Sequence, residues 1–272
     1  MDLLGDRIAL MVDDEASRRQ AGVFLLFAPG TRPDADELAR LAAQSGGSGE
    51  NGAAGDVVSF AISHRPVEHP YWLELLALGL TFDLQGLSPG IPAAAPRPVH
   101  AFSMPLGETQ GLEAMTLRPG PHLSAGGNLL PVIRAMAALG CELARLPGLV
   151  SIGWEPARTA MTPDYYRRVV GGWLKGGAFP GLGLTALDRA RDGSVRSDGL
   201  AFFTGHEIVV APVAGESPAD CAKFTLRVIH DLVENGPYPS GLAEGPEGAA
   251  VHCTWNAKGA LLLISRDSAT PG

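Results

Sequence analysis

An α+β protein is predicted here, with helices packed on one face of antiparallel sheets, and three observations predict it. Apolar runs of strand length recur along the chain, some joined by turn pairs such as Asp192-Gly193. Amphipathic runs with recognisable N-terminal caps lie between them. Strand, helix, strand and then further strands follow one another in each half, which predicts two pseudo-duplicated ferredoxin-like halves over residues 1–98 and 99–272, or one continuous domain.

Residues 1–20 end in a charged run from Asp13 to Arg19 and read as a partly ordered leading element. Residues 22–28, GVFLLFA, are a continuous apolar run and so a central strand. Thr31 and Pro33 open a helix whose first turn holds Asp34, Asp36 and Glu37, with Leu38, Leu41 and Ala42 as its buried stripe. SGGSGENGAAG, residues 45–55, is a loop with nothing to pack, and a strand over 56–67 completes a strand-helix-strand unit that fits a crossover. HRPVEH, residues 64–69, meets no helical metal spacing and reads as a surface turn. Residues 71–84 are apolar on nearly every side, which predicts a buried helix or a helix running into a strand. PGIPAAAPRP, residues 89–98, reads as a connector and the best internal boundary.

In the second half, residues 100–106 and 111–117 are expected to pair as strands. A helix over 128–146 with Asn128 as cap is stopped by Pro147-Gly148, and residues 150–154 form a strand. Thr162-Pro163-Asp164 starts the next helix in cap, proline, acid order. Residues 182–189, 195–203 and 206–212 form an antiparallel meander, its second turn a tight hairpin at Thr204-Gly205 in which glycine takes a positive φ. Ser217-Pro218-Ala219-Asp220 opens a helix ended by Gly236-Pro237, and residues 251–255 and 260–265 close the chain as a hairpin before a frayed end.

Composition narrows the function classes. A net charge of −8, from 21 basic and 29 acidic residues with the basic ones scattered, argues against nucleic acid or an anionic membrane as partner. The longest apolar run, residues 75–82, is too short for a bilayer, and the acidic start does not resemble a signal peptide, so a cytoplasmic protein is expected. Cys141, Cys221 and Cys253 read as buried reduced thiols, since no zinc spacing links them.

GLAFFTGHEIVVAP, residues 199–212, holds the only His-Glu dipeptide, yet strand alternation sends His206 and Glu207 to opposite faces. GLAFFTGHE, with VSIGWEPARTAMTPDYYRRVV before it and SPADCAKFTLRVIHDLVENG after it, resembles an uncharacterised bacterial domain-of-unknown-function family. The resemblance covers residues 149–264, with GVFLLFAPG and the helix after it as a weaker match. It implies the fold and a bacterial cytosolic setting, and carries no mechanism.

No G-x-S-x-G elbow, P-loop or dinucleotide fingerprint is present, and no cofactor or metal is assigned. The residues chosen for binding are Trp154, Tyr165, His206 and Glu207, because Trp and Tyr combine large contact area with a polar handle. Trp173 and Tyr166 belong to the same aromatic group, whose alternative role is to cement strand to helix. The expected function is a non-enzymatic accessory or interaction module for a protein or small molecule, possible as a homodimer. The rival is a metal-assisted hydrolase in which His100, His122, His206, His230 and His252 converge with Glu207 or Glu155.

Overall fold

The computed structural model describes residues 20–45 and 58–266. The leading charged run, the loop over 46–57 and the last residues lie outside the described residues. The α+β class is as predicted, and the chain divides into two units, one over Gln20–Ala178 and one from Phe179 onward.

The first unit is an eight-stranded sheet in the order β2-β3-β4-β6-β1-β7-β8-β5. The strands are β1 Val23–Phe27, β2 Phe60–His64, β3 Trp72–Ala77, β4 Leu80–Gln85, β5 His100–Phe102, β6 Glu113–Pro119, β7 Leu149–Trp154 and β8 Thr159–Met161. All neighbours are antiparallel except β5 and β8. Three helices, α1 Ala35–Ser45, α2 Leu130–Leu143 and α3 Pro163–Leu174, share one face, α2 lying on β1, β3, β4 and β6 between its two neighbours.

That face is filled by alternate residues of the strands. Val23, Leu25 and Phe27 of β1, Leu73 and Leu75 of β3, Phe82 and Leu84 of β4, and Met115 and Leu117 of β6 are fully buried under the helices. Each such side chain contributes roughly 1.5–3 kcal/mol of transfer free energy. β1 is buried on both sides because Phe24 and Leu26 pack with Ala114 on the opposite face, where Ala95 and Leu112 cover them. The unbroken apolar run of residues 22–28 was the signature of this double burial.

Several expectations change. The buried helix expected over 71–84 is the β3–β4 hairpin, turned by Leu78 and Gly79, both at positive φ, with Ala77 opposite Leu80. Residues 100–106 and 111–117 do not pair with each other, since β5 joins β8 and β6 lies between β4 and β1. The proline-rich stretch at residues 89–98 is not a boundary. β4 and β6 on either side of it are hydrogen-bonded neighbours, and Arg32 fastens it by donating to Gly86 O and to Gly90 O at 2.7 Å while ion-pairing with Glu113 at 2.8 Å. Thr162 Oγ1 accepts from Tyr165 N at 3.3 Å, as the sequence predicts, whereas the expected cap Asn128 gives way to Leu129, whose side chain makes no cap bond.

The second unit has a six-stranded sheet in the order β12-β13-β14-β11-β10-β9. Its strands are β9 Ala186–Arg189, β10 Val195–Asp198, β11 Glu207–Val210, β12 Gly241–Glu244, β13 Ala250–Trp255 and β14 Leu261–Ser265. The meander β9-β10-β11 and the closing hairpin β13–β14 are as expected, while β11 pairs with β14 in parallel. The long helix α5, Pro218–Asn235, starts where Ser217 Oγ accepts from Asp220 N, and ends at Gly236 with φ 89°. The tight hairpin at Thr204-Gly205 is replaced by a one-turn helix, α4 Ala201–Thr204, with Gly205 at φ 81° closing it. The two sheets differ in strand number and order, so the units are not copies of one ferredoxin-like plan.

Candidate functional site

The four residues singled out for binding fall in two units, Trp154 and Tyr165 in the first, His206 and Glu207 in the second. Trp154 is 0% exposed on β7, opposite Val23 and Thr159, and belongs to the core. Tyr165 is half-buried, stacked on Phe102 at 6.2 Å with the Arg168 guanidinium 5.2 Å from its ring, and burial raises its hydroxyl pKa. Tyr166 and Trp173 are buried where α3 meets α2, and Gly140 makes room there, since a β-carbon would stand 2.6 Å from the Tyr166 hydroxyl. This aromatic group cements helices and sheet.

His206 and Glu207, each 2% exposed, do diverge. The His206 ring meets Trp255 edge-on at 4.6 Å and its Nδ1 donates to Thr204 O at 3.0 Å, leaving the buried Nε2 without a partner. Burial lowers its pKa, which favours the neutral ring. The Glu207 carboxylate turns the other way and accepts from Gly199 N at 2.9 Å, Ala201 N at 3.1 Å, Leu200 N at 3.3 Å and the Ser197 hydroxyl. Glu207 therefore caps the start of α4, which gives the GLxxF and Glu residues a structural account: Gly199 supplies the positive φ of 87°, Leu200 is buried, and Glu207 collects the amides between them.

The histidines of the hydrolase reading are distributed. His230 Nδ1 accepts from Phe179 N at 3.2 Å, His252 is exposed on β13, and His122 is exposed in the turn before α2. Among the described residues, neither unit by itself gathers three His, Cys, Asp or Glu ligands around one point.

What the first unit does present is a groove on the face of the sheet opposite the helices. The proline-rich strap over 92–98 forms one wall, residues 109–113 the other, and Leu26 and Ala114 the floor, enclosing about 600 Å³. The strap is held at its start, where Ala93 N donates to Ala114 O at 2.8 Å, and Gly86 is required beneath it because a β-carbon there would stand 2.7 Å from both atoms. The prolines have no backbone N–H to satisfy and the alanines no polar side chain, which suits a strap lying against an apolar floor. Two charged residues line the groove. Glu113 is paired with Arg32, which together with Gly30 N holds its carboxyl below the usual range. Arg97 is exposed and has no ion-pair partner among the described residues.

No family model, curated protein or solved structure matches the chain. The groove was not legible as a site because its parts lie apart in sequence. The one available signal was the run of small and proline residues at 89–98, too apolar for a solvated linker.

Proposed function

We propose that this protein is a non-enzymatic accessory module that binds a small apolar carboxylate in the groove beneath the strap. The observation that carries this reading is the groove itself, whose volume of about 600 Å³ falls within the usual range for small-molecule sites and whose floor is hydrocarbon. Arg97 at its edge, unpaired among the described residues, supplies a cation for an acid group. Glu113, the carboxylate in its lining, is a poor general base, because Arg32 and Gly30 N occupy it and lower its pKa. The setting is cytoplasmic in this reading, consistent with three buried, unbridged cysteines; no described helix is long and apolar enough to cross a membrane.

The test is a titration with the apolar sulfonate dye 1-anilinonaphthalene-8-sulfonate, followed by competition. Saturable fluorescence that decanoate displaces and n-decylammonium does not is the expected result. Ala94→Trp, at an exposed position lining the groove, should abolish it, and Arg97→Glu should weaken it by about tenfold, the usual scale for one charged contact. Fluorescence that does not saturate, or that Ala94→Trp leaves unchanged, overturns the reading.

A further inference from the structure

The same face of the first sheet carries a second, polar cavity further along β6. Alternation places Ala114, Thr116 and Arg118 on this face, Ala114 in the groove floor and the other two in a cleft of about 250 Å³. Register sets Asp83 opposite Arg118 and Gln85 opposite Thr116, and this cross-strand quartet lines the cleft with Gln20. Opposite charges directly across an antiparallel pair ordinarily join. Here they do not.

Arg118 instead reaches over β1 to Glu155, donating from Nη2 to Oε1 at 2.8 Å and from Nε to Oε2 at 3.3 Å. The path is open because residue 22 is glycine: a β-carbon there would stand 2.6 Å from Glu155 Cδ. Among the described residues Asp83 is thereby left without an ion-pair partner. The Trp72 side chain hydrogen-bonds its carboxyl, Oδ1 is buried with no partner, and Glu74 adds a further negative charge nearby. Burial and Glu74 both raise its pKa, the expected mark of a carboxylate lacking its counter-charge.

We infer that this cleft binds a primary alkylammonium group, with Asp83 as counter-charge and Gln20, Gln85 and Thr116 as hydrogen-bond partners for its remaining N–H groups. An ammonium carries three donors and no acceptor, which suits a site rich in side-chain oxygens. A divalent metal ion is disfavoured because Asp83 is the one carboxylate among the described residues of the cleft lining, and Arg118 is already neutralised by Glu155. The inference is independent of the groove, whose lining shares no residue with the cleft.

Calorimetric titration of the whole protein with n-butylammonium chloride, against n-butanol and against tetramethylammonium at equal ionic strength, tests it. Saturable heat is expected for n-butylammonium alone. Asp83→Asn, a substitution of the same shape, should weaken binding by about tenfold or more, the scale of a lost charged hydrogen bond. Gln85→Lys, at an exposed position, places a tethered ammonium in the cleft and should abolish n-butylammonium binding while raising the unfolding temperature. Binding no tighter than that of n-butanol, or binding that persists unchanged in either variant, overturns the inference.

Discussion

Glu207→Ala is expected to destabilise the second unit by about 3–5 kcal/mol, since several buried donors lose their shared acceptor at roughly 1–3 kcal/mol each. Three backbone amides, of Gly199, Leu200 and Ala201, and the Ser197 hydroxyl lose their acceptor at once. Water cannot readily replace it, because Leu200, Ala201 and Ser197 are all buried. The Ser197 hydroxyl also accepts from Ile208 N at 2.9 Å, so the loss extends from the α4 turn into the β10–β11 pairing. Chemical denaturation with helix and strand signals followed together is the measurement. A cost under 1 kcal/mol would mean that the amides find other acceptors and that the cap is dispensable.

The same carboxyl makes stability depend on pH. Burial outweighs the hydrogen bonds it accepts and, with a smaller push from Asp198, raises the Glu207 pKa to about 7. A carboxyl whose pKa is higher folded than unfolded favours the folded state in its neutral form. Its contribution is fully present below the unfolded pKa near 4.5 and is lost as pH rises through about 7. The shift corresponds to roughly 3 kcal/mol between the two limits. Glu207→Gln removes this titration, so its denaturation midpoint should vary less than the wild type's between those limits. An equal pH dependence in both proteins would place the titrating group elsewhere.

The reach of the sequence can be traced through particular residues. Helix starts were legible at Thr162 and Ser217 because a cap, a proline and an acid act within one turn. The β3–β4 hairpin was hidden for two reasons. Leu76 and Leu78 are exposed and blur the alternation of buried Leu73, Leu75 and Ala77, and a leucine occupies a positive-φ turn position normally given to Asn or Gly. GLAFFTGHE read as strand because its aromatic residues suit strands, whereas the deciding interaction is Glu207 folding back on amides six to eight residues earlier. The groove and the cleft depend on strand order. Asp83 and Arg118 become neighbours only because β4 pairs with β6, and nothing local to either residue announces that pairing.

Gly153→Ala carries the other large effect, on the first unit. Phe24 of β1 stands opposite Gly153 of β7 and lays its ring across it, and a β-carbon at 153 would overlap both that ring and the Thr159 carbonyl oxygen of β8. The carbonyl belongs to a buried backbone ladder, with Thr159 opposite Trp154, and cannot retreat without opening it. The ring cannot simply rotate away, because it is fully buried with Leu26 and Ala114 under Ala95. Overpacking of this kind costs about 3 kcal/mol at the upper end of its usual range, and a unit of this size should then unfold roughly 6–12 °C lower. Phe24→Ala alone should cost about 3–5 kcal/mol through the cavity it leaves. The double substitution should cost less than the sum, because removing the ring relieves one of the two clashes. Full additivity would show that the backbone carbonyl alone sets the penalty at Gly153.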